Sequence, residues 1–392
     1  MSFTFTHTPD VYFGAGKIKV LSDILAAKNS RNVLLISGGS SFKRSSQYEW
    51  LNNELTQCGI PVYAVTVTGE PSPDLIDCTA AKYRDRGIDM VIAVGGGSVI
   101  DAGKAISAIL TQNEPVMMFL EGTKEGRKHN GKKVPFIAIP TTSGTGSEAT
   151  KNAVLGRIGE NGFKSSLRHD NFVPDIAIID PELTVTCPPN VTASSGMDAL
   201  CQLIGSYMSA KAGPITDALA LDGIEKVRDS LEAVCTNEPD NIEKRARMSY
   251  AAFISGITLA NAGLGVVHGF ASVIGGLFSI PHGVICGTLL PEAVRVNISE
   301  LAQNKTDNAL CLYKYARIGE ILTGTNAVGI EKKCFVLIDY LDNLKRKLNL
   351  PGLGSFGVTE RHAHIIAGKA SNKNNPVKLN EEQLKQIVIN CL

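Results

Sequence analysis

The feature that most limits how this chain can fold is a change of periodicity partway along it. Before Asp180 and Pro181, short β-branched runs alternate with amphipathic stretches, whereas from Thr192 onward nearly every segment repeats its apolar residues at helical spacing. Five runs read as buried strands: NVLLIS (Asn32 to Ser37), PVYAVTV (Pro61 to Val67), MVIAVGGGS (Met90 to Ser98), VPFIAIPTT (Val134 to Thr142) and DIAIID (Asp175 to Asp180). Between the first three lie SSQYEWLNNELTQCG and PDLIDCTAAKYRDRG, which carry a helical repeat. Strands alternating with helices specify a largely parallel, doubly wound sheet. The expected organisation is an α/β domain over residues 1–183 followed by an all-α domain over residues 184–392. The polar segment GTKEGRKHNGKK (Gly122 to Lys133) reads as an exposed hairpin or loop.

Composition narrows the partners. A chain of 392 residues with 44% hydrophobic content buries a sizeable core, in keeping with two domains. Lys and Arg total 39 against 38 for Asp and Glu, so the net charge of +1 favours neither nucleic acid nor an anionic membrane. The opening MSFTFTHTPDVYFGAG lacks a secretory pattern, and no uninterrupted apolar run reaches the roughly 18 residues of a membrane span, so a cytoplasmic protein is expected. Nine cysteines, none in a CxxC pair, read as reduced thiols. Cys286 lies four residues beyond His282, near enough to approach a ligand site there, but a small packing residue is the favoured reading.

Four side chains in two stretches point to a divalent metal. Asp198 and Gln202, four apart in GMDALCQLIGSYMS, share one helix face and offer two oxygens. His268 and His282, in GLGVVHGFASVIGGLFSIPHG, sit among glycines and aliphatics with little charge nearby. Two imidazoles would complete an N2O2 set suited to Fe(II) or Zn(II), with a position open for substrate oxygen. The ordinary alternatives are a helix-capping Asp and satisfied core histidines.

Three loops point to a nucleotide. MVIAVGGGSVIDAGKA places Gly95, Gly96, Gly97 and Ser98 between a strand and a helix, where backbone N–H groups and the helix dipole favour a phosphate. The pattern is neither GxGxxG nor a Walker loop, and a tight structural turn is the alternative. PTTSGTGSEAT (Pro140 to Thr150) follows another strand and adds hydroxyls and amides. SGGSSFKR (Ser37 to Arg44) holds no acidic residue to accept a ribose 2′-hydroxyl, while Lys43 and Arg44 supply positive charge, which suits NADP over NAD.

These residues, together with VYFGAGKI, IPTTSGTGSEAT, DIAIIDPELT, TASSGMDAL, GLGVVHG, IPHGV and NNPVKLNEEQL in that order, resemble the iron-containing (group III) alcohol dehydrogenases over nearly the whole chain. The resemblance implies a dinucleotide-binding N-terminal domain and a helical metal-binding domain, the architecture shared with dehydroquinate synthase. It also implies NAD(P)-dependent interconversion of alcohols with aldehydes or ketones, and a homodimer. Carried over position by position, the metal ligands are Asp198, Gln202, His268 and His282. The cofactor residues are Gly38, Gly39 and Ser40 near the ribose, Gly96, Gly97, Ser98 and Asp101 near the pyrophosphate, and Thr141, Thr142 and Thr145 along the nicotinamide half, with Asn152 and Lys164 alongside. Hydride would pass between nicotinamide C4 and a substrate whose oxygen the metal polarises as a Lewis acid.

Two positions depart from the family pattern: Gln202 and Ser272 each stand where most members carry His. An amide oxygen is a poorer ligand than imidazole, which opens the identity of the metal. Ser272, a water or the cofactor ribose hydroxyl is left to move the alcohol proton. The competing expectations are a dehydroquinate-synthase-like lyase, a glycerol-phosphate dehydrogenase and a non-catalytic nucleotide-binding relative whose metal site has decayed.

Overall fold

The computed structural model describes residues 3–39, 42–123, 126–160 and 162–392. The chain divides into two compact units: an α/β unit of Thr6–Arg157 and Lys164–Pro188, and a helical unit of Met1–Phe5, Ile158–Phe163 and Pro189–Leu392.

Among the described residues the α/β unit contains eight strands: β1 (Asp10–Phe13), β2 (Val33–Gly38), β3 (Val62–Val67), β4 (Met90–Gly95), β5 (Phe136–Pro140), β6 (Asn152–Arg157), β7 (Phe163–Arg168) and β8 (Ile176–Ile179). Six of them form one sheet in the order β1-β8-β5-β4-β2-β3, every pairing parallel. The other two, β6 and β7, make a separate two-stranded sheet. All residues of β4, β5 and β8 are buried, as strands covered on both faces require. The chain passes from β2 outward to β3, then returns to place β4 on the other side of β2. That reversal is a topological switch point, and open α/β sheets bind ligands beyond the carboxyl ends of the strands flanking it. Here those ends are Gly38 and Gly95, brought side by side by the pairing of Ser37 with Val94.

Helices α1 (Leu21–Ala27), α2 (Ser46–Gln57), α3 (Pro73–Tyr83) and α4 (Gly97–Ile109) belong to this unit. Their starts are written locally: the hydroxyls of Ser45 and Ser72 accept from Tyr48 and Leu75 N–H at 3.2 Å. Asp180, buried just after β8, accepts from the N–H groups of Gly16, Ile18 and Glu182 and so fixes the turn after β1. The Gly122–Lys133 segment carries neither strand nor helix among its described residues, but it is not wholly exposed. His129 is 2% exposed, packed edge-on between Phe119 and Phe172.

Among the described residues ten helices make up the other unit: α5 (Pro189–Tyr207), α6 (Pro214–Arg228), α7 (Leu231–Cys235), α8 (Ile242–Ala262), α9 (Val266–Leu277), α10 (His282–Leu301), α11 (Ala309–Thr323), α12 (Ile330–Lys347), α13 (Glu360–Lys369) and α14 (Glu381–Ile389). At its centre runs α5, buried along most of its length and packed on α6, α8 and α10. The chain turns 100° between α8 and α9, where Gly263 adopts a positive φ of 69°. Among the described residues no single helix is long and apolar enough to cross a membrane.

Candidate metal centre and nucleotide loops

Three helices bring the donors together. Asp198 lies mid-way along α5, His268 in the first turn of α9, and His282 at the first residue of α10. Both histidines precede a glycine at a close approach. A side chain at Gly283 would collide with the Ser194 carbonyl of α5, and one at Gly269 with the Ser371 backbone. Each helix start is thereby held tightly enough to aim its imidazole.

The Asp198 carboxylate is divided between two tasks. Its Oδ1 faces His268 Nε2 at 3.3 Å and His282 Nε2 at 3.7 Å. Its Oδ2 accepts from Gln202 Nε2 at 3.1 Å, and Gln202 Oε1 in turn accepts from Ser255 Oγ at 2.8 Å. Gln202 thus turns its nitrogen, not its oxygen, toward the carboxylate. Cys286, one turn along α10 from His282, instead places its sulfur 3.6 Å from both Nε2 atoms. The donor atoms of Asp198, His268, His282 and Cys286 all lie within 4.8 Å of one another. A cluster of that size and donor type fits a divalent cation.

Burial works against ionisation of Asp198, but His282 and His268 outweigh it and hold the carboxyl below its usual range. Burial also opposes charge on His268, whose pKa is nonetheless raised to about 10 by Cys286 and Asp198. We assign that rise to Asp198, the ionised neighbour, because burial pushes the Cys286 thiol far up and keeps it neutral. Against burial, the pKa of His282 is likewise raised by Cys286 and Asp198, and a divalent cation would displace the protons that the imidazoles and the thiol hold. The side chain of Asp198 is 2% exposed, that of His268 14% and that of His282 31%. Ser272 lies one turn beyond His268 on α9 and is exposed.

In the α/β unit the two polar turns meet. Thr141 N–H donates to Gly95 O at 3.0 Å, and a side chain at Gly97 would come within 2.5 Å of Thr145. Gly96, with Thr142 beside it, and Ser98 are partly exposed at the start of α4, as are Thr141, Thr142 and Thr145. Gly38 ends β2 and Gly39 is exposed beyond it. Ser40 lies outside the described residues. Lys43 Nζ donates to Thr66 Oγ1 at 2.5 Å, and Arg44 is exposed.

Three expected cofactor residues have structural partners. Asp101 is 8% exposed, and its Oδ2 accepts from Val154 N–H at 2.9 Å, which ties α4 to β6. Asn152 opens β6, and its carbonyl accepts from Lys104 Nζ at 2.7 Å. Lys164 pairs with Glu70 at 3.0 Å.

Lys104 escaped the sequence reading. It is fully buried, and its ammonium also donates to Ser147 O and Thr150 Oγ1, so it holds the second polar turn in shape. Burial lowers its pKa to about 8. The available signal was an Asp–Lys pair three residues apart, Asp101 and Lys104, in the otherwise uncharged helix GSVIDAGKAISAI. Ser255, which orients Gln202, carried no signal of its own.

Comparison with known proteins fits this geometry. Family models described as iron-containing alcohol dehydrogenase and as the C-terminal part of the Fe-containing alcohol dehydrogenase family match residues 8–181 and 192–392. The chain is 31% identical over 396 residues to an NADPH-dependent butanol dehydrogenase of Clostridium saccharobutylicum, covering 98% of this chain and 96% of the other. It is 27% identical over 395 residues to an NAD-dependent methanol dehydrogenase of Bacillus methanolicus, covering 98% of each. The crystal structure of a 1,3-propanediol oxidoreductase superposes with a TM-score of 0.88 at 28% identity, covering 99% of both chains. With both halves matched and the relatives spanning its length, the chain belongs to the iron-containing alcohol dehydrogenase family, alcohol oxidoreductases that use NAD(H) or NADP(H) and a metal.

Proposed function

We propose that this enzyme interconverts a small alcohol with its aldehyde or ketone, prefers NADP(H), and uses Asp198, His268 and His282 as metal ligands. The observation that carries the reading is the convergence of those three side chains from three helices. Both nucleotides occur in the names of its relatives, so the preference rests on this chain's own loop. No acidic residue lies between Ser37 and Arg44, and the nearest atom to a side chain built at Gly38 is 3.8 Å away on Val99. A ribose 2′-phosphate would meet no repulsion there and would find Lys43 and Arg44 as cations.

The remaining roles follow from position. Backbone N–H groups at Gly96, Gly97 and Ser98 bind the pyrophosphate at the start of α4. Thr141, Thr142 and Thr145 orient the nicotinamide half. A nicotinamide held there would supply hydride chemistry at C4, and a cation held by Asp198, His268 and His282 would supply Lewis acidity toward a substrate oxygen. Ser272 Oγ, exposed one turn from His268, passes the alcohol proton to solvent. A homodimer, which the resemblance supports, and a cytoplasmic location complete the reading, with light scattering and cell fractionation as their checks. The central test measures NADPH and NADH consumption by the purified enzyme over a panel of aldehydes and ketones, with Fe(II) or Zn(II) added anaerobically. Turnover with NADPH well ahead of NADH is expected; no turnover with either would overturn the proposal.

A further inference from the structure

We infer that Cys286 is the fourth metal ligand of this protein, that Gln202 is a positioning residue for Asp198, and that the resulting N2OS set favours zinc over ferrous iron. This rests on the proposed metal site and names the atoms that complete it.

Geometry carries the first part. Zinc bonds run about 2.3 Å to sulfur and about 2.0–2.1 Å to nitrogen and oxygen, so a tetrahedron of such bonds has N···S edges of about 3.6 Å and N···O edges of about 3.3 Å. The sulfur of Cys286 lies 3.6 Å from His268 Nε2 and 3.6 Å from His282 Nε2. The Oδ1 atom of Asp198 lies 3.3 and 3.7 Å from the same nitrogens. Four of the six edges of a metal-sized tetrahedron are thus close to their expected lengths, and the remaining two donor pairs lie within 4.8 Å. Zinc at catalytic sites expands from four- to five-coordination, and a substrate oxygen would enter here as the fifth ligand.

Gln202 is placed differently. Its oxygen is taken by Ser255 Oγ at 2.8 Å and its nitrogen donates to Asp198 Oδ2 at 3.1 Å. Serving as a ligand would require the amide to turn over, giving up the bond to Asp198 and facing its oxygen toward a carboxylate. As placed, it fixes the carboxylate so that Oδ1 is left for the cation, the work of a group behind the ligands. The other nearby thiol, Cys201, faces the other nitrogen of the His268 ring, 3.9 Å from Nδ1, and hydrogen-bonds the Cys286 thiol without joining the cluster of donor atoms. Replacing an imidazole with a thiolate softens the donor set, and soft sulfur donors favour zinc over ferrous iron.

The test uses the full-length protein stripped of metal and titrated with Co(II), whose thiolate complexes show a sulfur-to-metal charge-transfer band in the near ultraviolet. Wild type should bind one Co(II) and show the band. Cys286→Ser, with Cys286→Ala as a second variant should the first fold poorly, should lose the band and bind cobalt on the order of 100-fold more weakly. Gln202→Ala and Cys201→Ser should keep the band, the former with affinity down by about 10–100-fold. Under anaerobic competition, wild type should retain Zn(II) over Fe(II), and Cys286→Ser should narrow that ratio. Cobalt bound without the band, a band that survives in Cys286→Ser, or one that vanishes in Cys201→Ser would each overturn the assignment of Cys286. Failure of wild type to bind cobalt or zinc would overturn the metal reading itself.

Discussion

The two units build their candidate sites from different materials. In the α/β unit the site is backbone: glycines at the ends of β2 and β4 expose N–H groups at a switch point. In the helical unit it is side chain: a carboxylate, two imidazoles and a thiol drawn from α5, α9 and α10. The difference predicts opposite sensitivities. A backbone site fails when something is added to it, and a donor cluster fails when something is removed.

The largest effect should come from removal. His268→Ala or His282→Ala is expected to cut kcat by about 10³-fold or more, since polarisation by a cation is worth several kcal/mol and each 1.36 kcal/mol is tenfold. NADPH affinity, read by fluorescence titration, should stay within a few-fold. Comparable losses of both quantities would erase the contrast between the units.

Addition comes next. Gly97→Ala puts a methyl within 2.5 Å of Thr145, so the turn must shift; nucleotide affinity should fall by roughly tenfold or more and stability by about 1–3 kcal/mol. Gly39→Ala, whose nearest contact is Thr68 at 3.1 Å, should cost much less. Calorimetric titration with NADPH compares the two, and equal losses would show that close packing does not set the demand for glycine.

A smaller effect sharpens the nucleotide side. Gly38→Asp has room for its side chain and adds the missing acid, so the ratio of kcat/KM for NADPH over NADH should fall by about tenfold. An unchanged ratio would mean that the first loop does not set the preference.

The smallest separates the units by pH. His129, in the α/β unit, has its pKa lowered to about 4 by burial, with a further contribution from His169. Between that value and the ordinary 6.5 the unfolded chain binds a proton that the fold does not, so stability present above pH 6.5 drains away as pH falls toward 4. Trp50 on α2 is the sole tryptophan and reports this unit. Denaturant midpoints followed by its fluorescence should drop between about pH 7 and about pH 4, and His129→Gln should flatten the trend.

Legibility in the sequence followed the same division. Strands β2, β4, β5 and β8 were readable because burial on both faces leaves uninterrupted aliphatic runs. Strand β1 was not: it has four residues, all exposed, and pairs on one edge only. Strands β6 and β7 form their own ribbon with mixed burial and show no clean alternation. Asp198, His268 and His282 stood out as polar groups in glycine-broken apolar stretches. The position of Cys286 did not, because a cysteine one turn from a histidine looks the same whether it packs or ligates. Only the meeting of three helices separates the two cases. Ser40 lies outside the described residues, so the ribose loop stands on Gly38, Gly39, Lys43 and Arg44.

The graded exposure of the cluster has a kinetic corollary. With His282 about one-third open and Asp198 sealed, an arriving ion meets an imidazole before it meets a carboxylate, and a chelator pulls on the same imidazole first. Exchange would then be gated at a single doorway, so the ion carried after purification reflects the history of exposure as much as the equilibrium preference of the site.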